Sequence, residues 1–116
     1  MDHSVDLTRL KETSDGDLDF ETELIGMFIE DVTAMVGNLQ KFLEQADLKG
    51  LYHVGHALKG TCANMGAVEM SSLASTIETA ALDGNTQKAA ASFPGLADAL
   101  ERTRLFFHEY VQSLGA

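Results

Sequence analysis

The chain has 116 residues, enough for one domain with a single modest core. Hydrophobic residues make up 45% of it, and a single proline, Pro94, favours helices over a turn-rich β fold. Eighteen acidic against eight basic residues give a formal net charge of −10, which excludes a nucleic-acid binder dependent on clustered Lys and Arg. The charge reads first as a device for solubility, with a basic-rimmed partner as the alternative. No apolar run approaches the roughly 20 residues of a membrane span. The start, "MDHSVDLTRL", lacks the basic and apolar segments of a signal peptide. One cysteine, Cys62, cannot form an internal disulfide, which fits a reducing, cytoplasmic setting.

In chain order, a short amphipathic segment, "VDLTRLKET", meets the turn "SDGD". Asp17 is then placed to cap a long helix whose contact positions are Ile25, Phe28, Val32, Met35, Leu39, Phe42 and Ala46. The steps alternate three and four, the seam of a helix packed in a bundle. Asp47 can cap the next helix, with the stripe Leu48, Leu51, Gly55, Leu58, Cys62 and Met65, and Gly66 suits a left-handed C-terminal cap. A third pattern runs Met70, Leu73, Ile77, Ala80 and stops at Gly84. The last reads Phe93, Leu96, Leu100, Thr103, Phe107, Tyr110, Leu114, with a kink or break expected at Pro94. The expected fold is all-α: an antiparallel up-and-down four-helix bundle with a short additional N-terminal helix as a lid, one domain over residues 1–116.

The stretch "GHALKGTCANMG" stands out, because Gly55 and Gly60 lie inside a helix, where each costs about 1 kcal/mol relative to alanine. At 100° per residue His56 points about 135° from the centre of the core stripe, toward solvent. Gly60, Ala63 and Ala67 share that outward strip, with Asn64 beside them and Lys59 on the flank within reach of the His56 ring. Gly55 sits on the core seam, where a missing side chain lets a neighbouring helix come close. Gly60 is outside, where nothing internal requires it to be small. Small neighbours leave the imidazole approachable by another macromolecule.

A surface histidine alone signals little, but the residues around it carry more. "HALKGTCANMG" resembles the signature of histidine phosphotransfer (HPt) domains: His56, Leu58, Lys59, Gly60 and Gly66 fall in the matching places, and Gly55 supplies the small residue usual before the histidine. The resemblance continues through "AVEMSSLASTIETAALDG" and covers nearly the whole chain. It implies a phosphocarrier of a multistep phosphorelay, taking a phosphoryl group from a receiver-domain aspartate onto His56 and passing it to another receiver. The expected partners are the receiver domains of response regulators and a hybrid sensor kinase, met as a monomer, with no membrane or nucleic acid involved. Neutral imidazole, with an ordinary pKa near 6.5, is a competent nucleophile through Nε2. Lys59 would balance the charge of the transferring group. Gly60, Ala63, Asn64 and His53 would form the docking surface, and Gly55, Leu58 and Gly66 the structural frame. No cofactor is expected in this chain, since Mg²⁺ would belong to the receiver. Glu78 matches a common family acid and reads equally well as a solvated charge.

Other candidates are weaker. His53 and His56 have a zinc-compatible spacing, but no HExxH motif or cysteine cluster completes a metal site. His3 and His108 have no motif around them, Cys62 and the methionines read as core, and no nucleotide-binding loop supports a kinase. The rival function is an adaptor that docks on receivers and sequesters them without carrying phosphate. Retention of both His56 and Lys59 favours the carrier.

Overall fold

The computed structural model describes residues 5–115, so His3 lies outside the described residues. They form five helices and no strand: α1 (Thr8–Ser14), α2 (Leu18–Glu44), α3 (Leu48–Asn64), α4 (Val68–Leu82) and α5 (Thr86–Leu114). Side-chain caps explain where the three longest begin. Asp17 accepts from the Phe20 amide, Asp47 from the Gly50 amide and Asn85 from the Lys88 amide, each at 3.0 Å. Each satisfies one of the amides left orphaned in a first helical turn.

Helix α3 packs on α2 and α4, and α5 packs on α4 and closes back on α2. The resulting helical bundle is elongated, 46 × 22 × 20 Å. Its core is built from Phe28, Val32 and Leu39 of α2, Leu51 and Leu58 of α3, Ile77 of α4, and Leu96 and Phe107 of α5. Burying one such side chain stabilises by about 1.5–3 kcal/mol. Leu10 anchors α1 against this core.

The segment before α1 lies across the turn between α3 and α4, with the Asp6 amide donating to the Gly66 carbonyl at 2.7 Å. Gly66 is required there twice over. Its φ of +74° is left-handed, and a Cβ would sit 1.7 Å from the Asp6 carbonyl oxygen.

Several expectations change. The last helix begins at Thr86 rather than near Phe93 and runs unbroken through Pro94. Ala46 is not on a contact stripe, because α2 ends at Glu44 and Ala46 is an exposed left-handed residue with φ of 52°. Ala67 is fully buried instead of outward: α3 ends at Asn64, so its 100° periodicity does not extend that far. Leu48, the first residue of α3, is exposed, and Met35 and Leu73 are only half-buried beside the buried Val36 and Ala74.

Candidate functional site

Gly55 determines how the site is assembled. A Cβ there would lie 3.3 Å from the Glu78 amide nitrogen and 3.5 Å from the Ala74 carbonyl oxygen, so α3 and α4 meet backbone to backbone at this level. That close approach brings the Glu78 carboxylate under the outer face of α3. Its Oε2 lies 2.5 Å from His56 Nδ1, and its Oε1 accepts from Lys59 Nζ at 2.6 Å. The Ser71 hydroxyl adds a second stitch, donating to the Lys59 carbonyl at 3.0 Å.

An ionised carboxylate only accepts, so the proton of a neutral His56 sits on Nδ1 and the Nε2 lone pair is free. The His56 side chain is 63% exposed while that of Glu78 is 8% exposed, so the ring projects outward from a sunken anchor. Tyr52, one turn earlier, stacks on the ring with centroids 6.0 Å apart and planes 24° from parallel. The Lys59 hydrogen bond holds the Glu78 carboxyl below its usual range, outweighing the burial that would push it up, and His56 adds to the lowering. Glu78 is therefore an anion that fixes a tautomer and an orientation.

Gly60 lies open on the outer strip: a Cβ there would meet nothing within 4 Å. His53, Ala63 and Asn64 are exposed on the same helix, and Leu58 is fully buried on its opposite side. Cys62 is buried, which pushes its thiol up to about 12 and leaves it inert. Among the described residues no group of three or more His, Cys, Asp or Glu side chains is arranged to hold a metal ion.

The profile of the Hpt domain matches residues 23–105, well over half of the chain and including every residue of this site. The chain belongs to the Hpt domain family. This Hpt domain is 33% identical over 78 residues to multistep phosphorelay regulator 1 of Schizosaccharomyces pombe. The match takes in 67% of the chain but only 26% of the yeast protein, so the chain spans about a quarter of that relative's length. Its fold is similar to that of histidine-containing phosphotransfer protein B from Pseudomonas aeruginosa, with a TM-score of 0.89 and 25% identity, covering 95% of this chain and 96% of that one.

Glu78 is the residue that the sequence reading undervalued. Its neighbour Ile77 marks α4's apolar stripe, and Glu78 sits just off it, where a wheel of α4 alone cannot separate an edge facing α3 from one facing water. The available signal was Gly55, since a seam glycine announces a close backbone approach.

Proposed function

We propose that this Hpt domain is a histidine phosphocarrier that takes a phosphoryl group from a receiver-domain aspartate onto His56 and delivers it to a second receiver. The observation that carries the reading is the fixed His56–Glu78 pair, which leaves Nε2 as the exposed nucleophile of a neutral imidazole. Nε2 attacks phosphorus, the bond from phosphorus to the aspartyl oxygen breaks, and its electron pair leaves with the partner's carboxylate. Nδ1 keeps its proton, and the positive charge that develops on the ring faces Glu78. Lys59, with its side chain 36% exposed, can swing from Glu78 toward the phosphoryl oxygens and balance their charge. Onward transfer is the same step in reverse with another receiver. Mg²⁺ and its acidic pocket belong to that partner. Gly60, Ala63, Asn64 and His53 form the docking strip on which it seats.

The bundle that presents this strip is antiparallel and up-and-down in this reading. Support comes from pairs that run in opposite senses: Gly55 lies against Glu78 while Lys59 lies against Ser71, and Phe42 near the end of α2 lies against Gly50 near the start of α3. Glu69 likewise meets Arg102 while Leu73 meets Gly95, and Glu21 meets Tyr110 while Phe28 meets Phe107. The domain works as a cytoplasmic monomer, and none of the helices described is long and apolar enough to cross a membrane.

Incubation with phosphorylated receiver domains tests the assignment. The wild-type chain should acquire one acid-labile, alkali-stable phosphate, and His56→Gln should acquire none while keeping its helix content. Labelling of His56→Gln would disprove His56 as the carrier. Receiver binding without transfer by the wild type would favour the adaptor reading instead.

A further inference from the structure

The net charge of −10 is distributed unevenly, and the helix from which His56 projects contributes none of the acids. Helix α3 contains no Asp or Glu, only Lys49 and Lys59. Helix α4 has two acids, each already held by a cation: Glu69 by Arg102 at 2.7 Å and Glu78 by Lys59 at 2.6 Å. Beside Lys59 the groove between the two helices is lined by the hydroxyls of Ser71, Ser72, Ser75 and Thr76. Helix α2, by contrast, exposes Asp19, Glu23, Glu30, Asp31 and Glu44.

Lys49 is the second cation of the α3 face. It lies about two turns before His56, within about 20° of it around the helix and about 10 Å away along the axis. It is exposed and makes no ion pair among the described residues. The nearby Asp47 carboxylate is turned into the cap, accepting from the Gly50 amide. Local structure gives no reason for a lysine here. Lys49 is the second residue of α3, where the positive end of the helix dipole favours an acid, and the first turn contains none. A cation at an unfavourable position, on the strip that carries the site histidine, suggests a role toward something outside the molecule.

We infer that Lys49 is a distal docking cation, and that the α3 face from Lys49 to Lys59 receives the acidic rim of the receiver that exchanges phosphate with His56. This inference rests on the carrier reading and names what recognises the partner. Net charge alone would suggest a basic partner, but its distribution selects an acidic one. The exposed carboxylates of α2 repel such a surface, and those of Asp6 and Glu12 border the strip only at its Ala63 end, while α3 itself presents lysines and no acid. A phosphate-exchanging pocket that must hold a divalent cation is itself rich in carboxylates.

The test is association of the full chain with a phosphorylated receiver that transfers to the wild type, followed by stopped flow at low and high salt. Lys49→Glu should slow association about three- to tenfold at low ionic strength, since a rim charge acts mainly on the encounter rate. The deficit should disappear near 1 M salt, where the Debye length falls to about 3 Å. Single-turnover transfer at saturating receiver should stay at the wild-type rate. Glutamate suits the second position of a helix, so the variant should melt no lower than the wild type. Glu30→Lys on α2 serves as the control and should not slow association. An association rate for Lys49→Glu equal to or above that of the wild type would overturn the inference, as would a deficit that persists at high salt. Labelling with phosphoramidate, which needs no protein partner, reports on His56 separately and should be unchanged in Lys49→Glu. If no phosphorylated receiver passes label to the wild type, the carrier reading fails, and association with the unphosphorylated receiver still decides the role of Lys49.

Discussion

Two glutamates in this domain are almost equally buried and do opposite work. Glu21, on α2, is 2% exposed and receives hydrogen bonds from the Ser14 hydroxyl at 2.7 Å and from the Tyr110 hydroxyl. It ties α1, α2 and α5 together, and among the described residues no cation pairs with it. Glu78 instead meets an imidazole and an ammonium, both of which reach solvent. Burial therefore does not mark the functional carboxylate. What marks it is a titratable, exposed base on the far side of the hydrogen bond. Glu21 closes a clasp of neutral donors, while Glu78 sets the direction of a ring that projects into solvent.

Exchanging each acid should separate these roles most strongly. Glu21→Ala should cost about 2–3 kcal/mol of stability, because it strands the Tyr110 and Ser14 hydroxyls, yet leave single-turnover transfer within about twofold. Glu78→Gln should do the reverse, slowing transfer about ten- to a hundredfold with a small change in melting temperature. Thermal melts and transfer rates on both proteins are the measurement. A Glu21→Ala chain that folds normally but transfers slowly would break the comparison.

The two acids should also leave their marks at opposite ends of the pH range. Glu78 has a lowered folded pKa, so its contribution to stability is complete above the ordinary carboxylate range and disappears as pH falls through the folded value. Tyr110 is pushed up to about 12, mainly by burial and further by its hydrogen bond to Glu21. Its contribution is complete below its ordinary value of 10.0 and disappears as pH rises toward about 12. Denaturant unfolding across pH should therefore show an acid limb flattened by Glu78→Gln and an alkaline limb flattened by Tyr110→Phe. Limbs unchanged in these variants would detach both shifts from the contacts described.

The smallest effect probes the openness of the Glu78 side. Gly60→Ala meets no atom within 4 Å, so it should raise stability by up to about 1 kcal/mol. Transfer should fall as the residue grows from Gly to Ala to Gln, because the side chain blocks the receiver before the reacting atoms come within about 3–3.5 Å. Melting curves and transfer rates on the series check it. A Gly60→Gln protein that transfers normally would show that clearance at this position is irrelevant.

Much of this was legible in the residues, and the failures have physical causes. Asp17, Asp47 and Gly66 announced helix ends because capping chemistry is local. Gly55 and Gly60 were separable because their phase relative to Leu58 puts one inside and one outside. Ala46 and Ala67 were misassigned because periodicity was extended past the point where the helix stops. The half-buried Leu73 and buried Ala74 show a subtler limit. Next to a glycine the backbones come so near that a small residue takes the innermost position, and a larger apolar one moves to the margin. The double pairing of Glu78 depends on the same spacing between helices, which no single helical wheel contains. The Glu21 clasp joins residues 89 apart in sequence and left no local trace.

Gly55 has one consequence outside the site proper. Because the gap it leaves sets where Glu78 stands, the orientation of the His56 ring is governed by a packing distance in the interior. Widening that gap by a few tenths of an ångström would stretch a 2.5 Å contact without altering any group that meets the partner. The rate of such a carrier could then drift or be tuned through silent changes in its interior, while the surface that partners recognise stays the same.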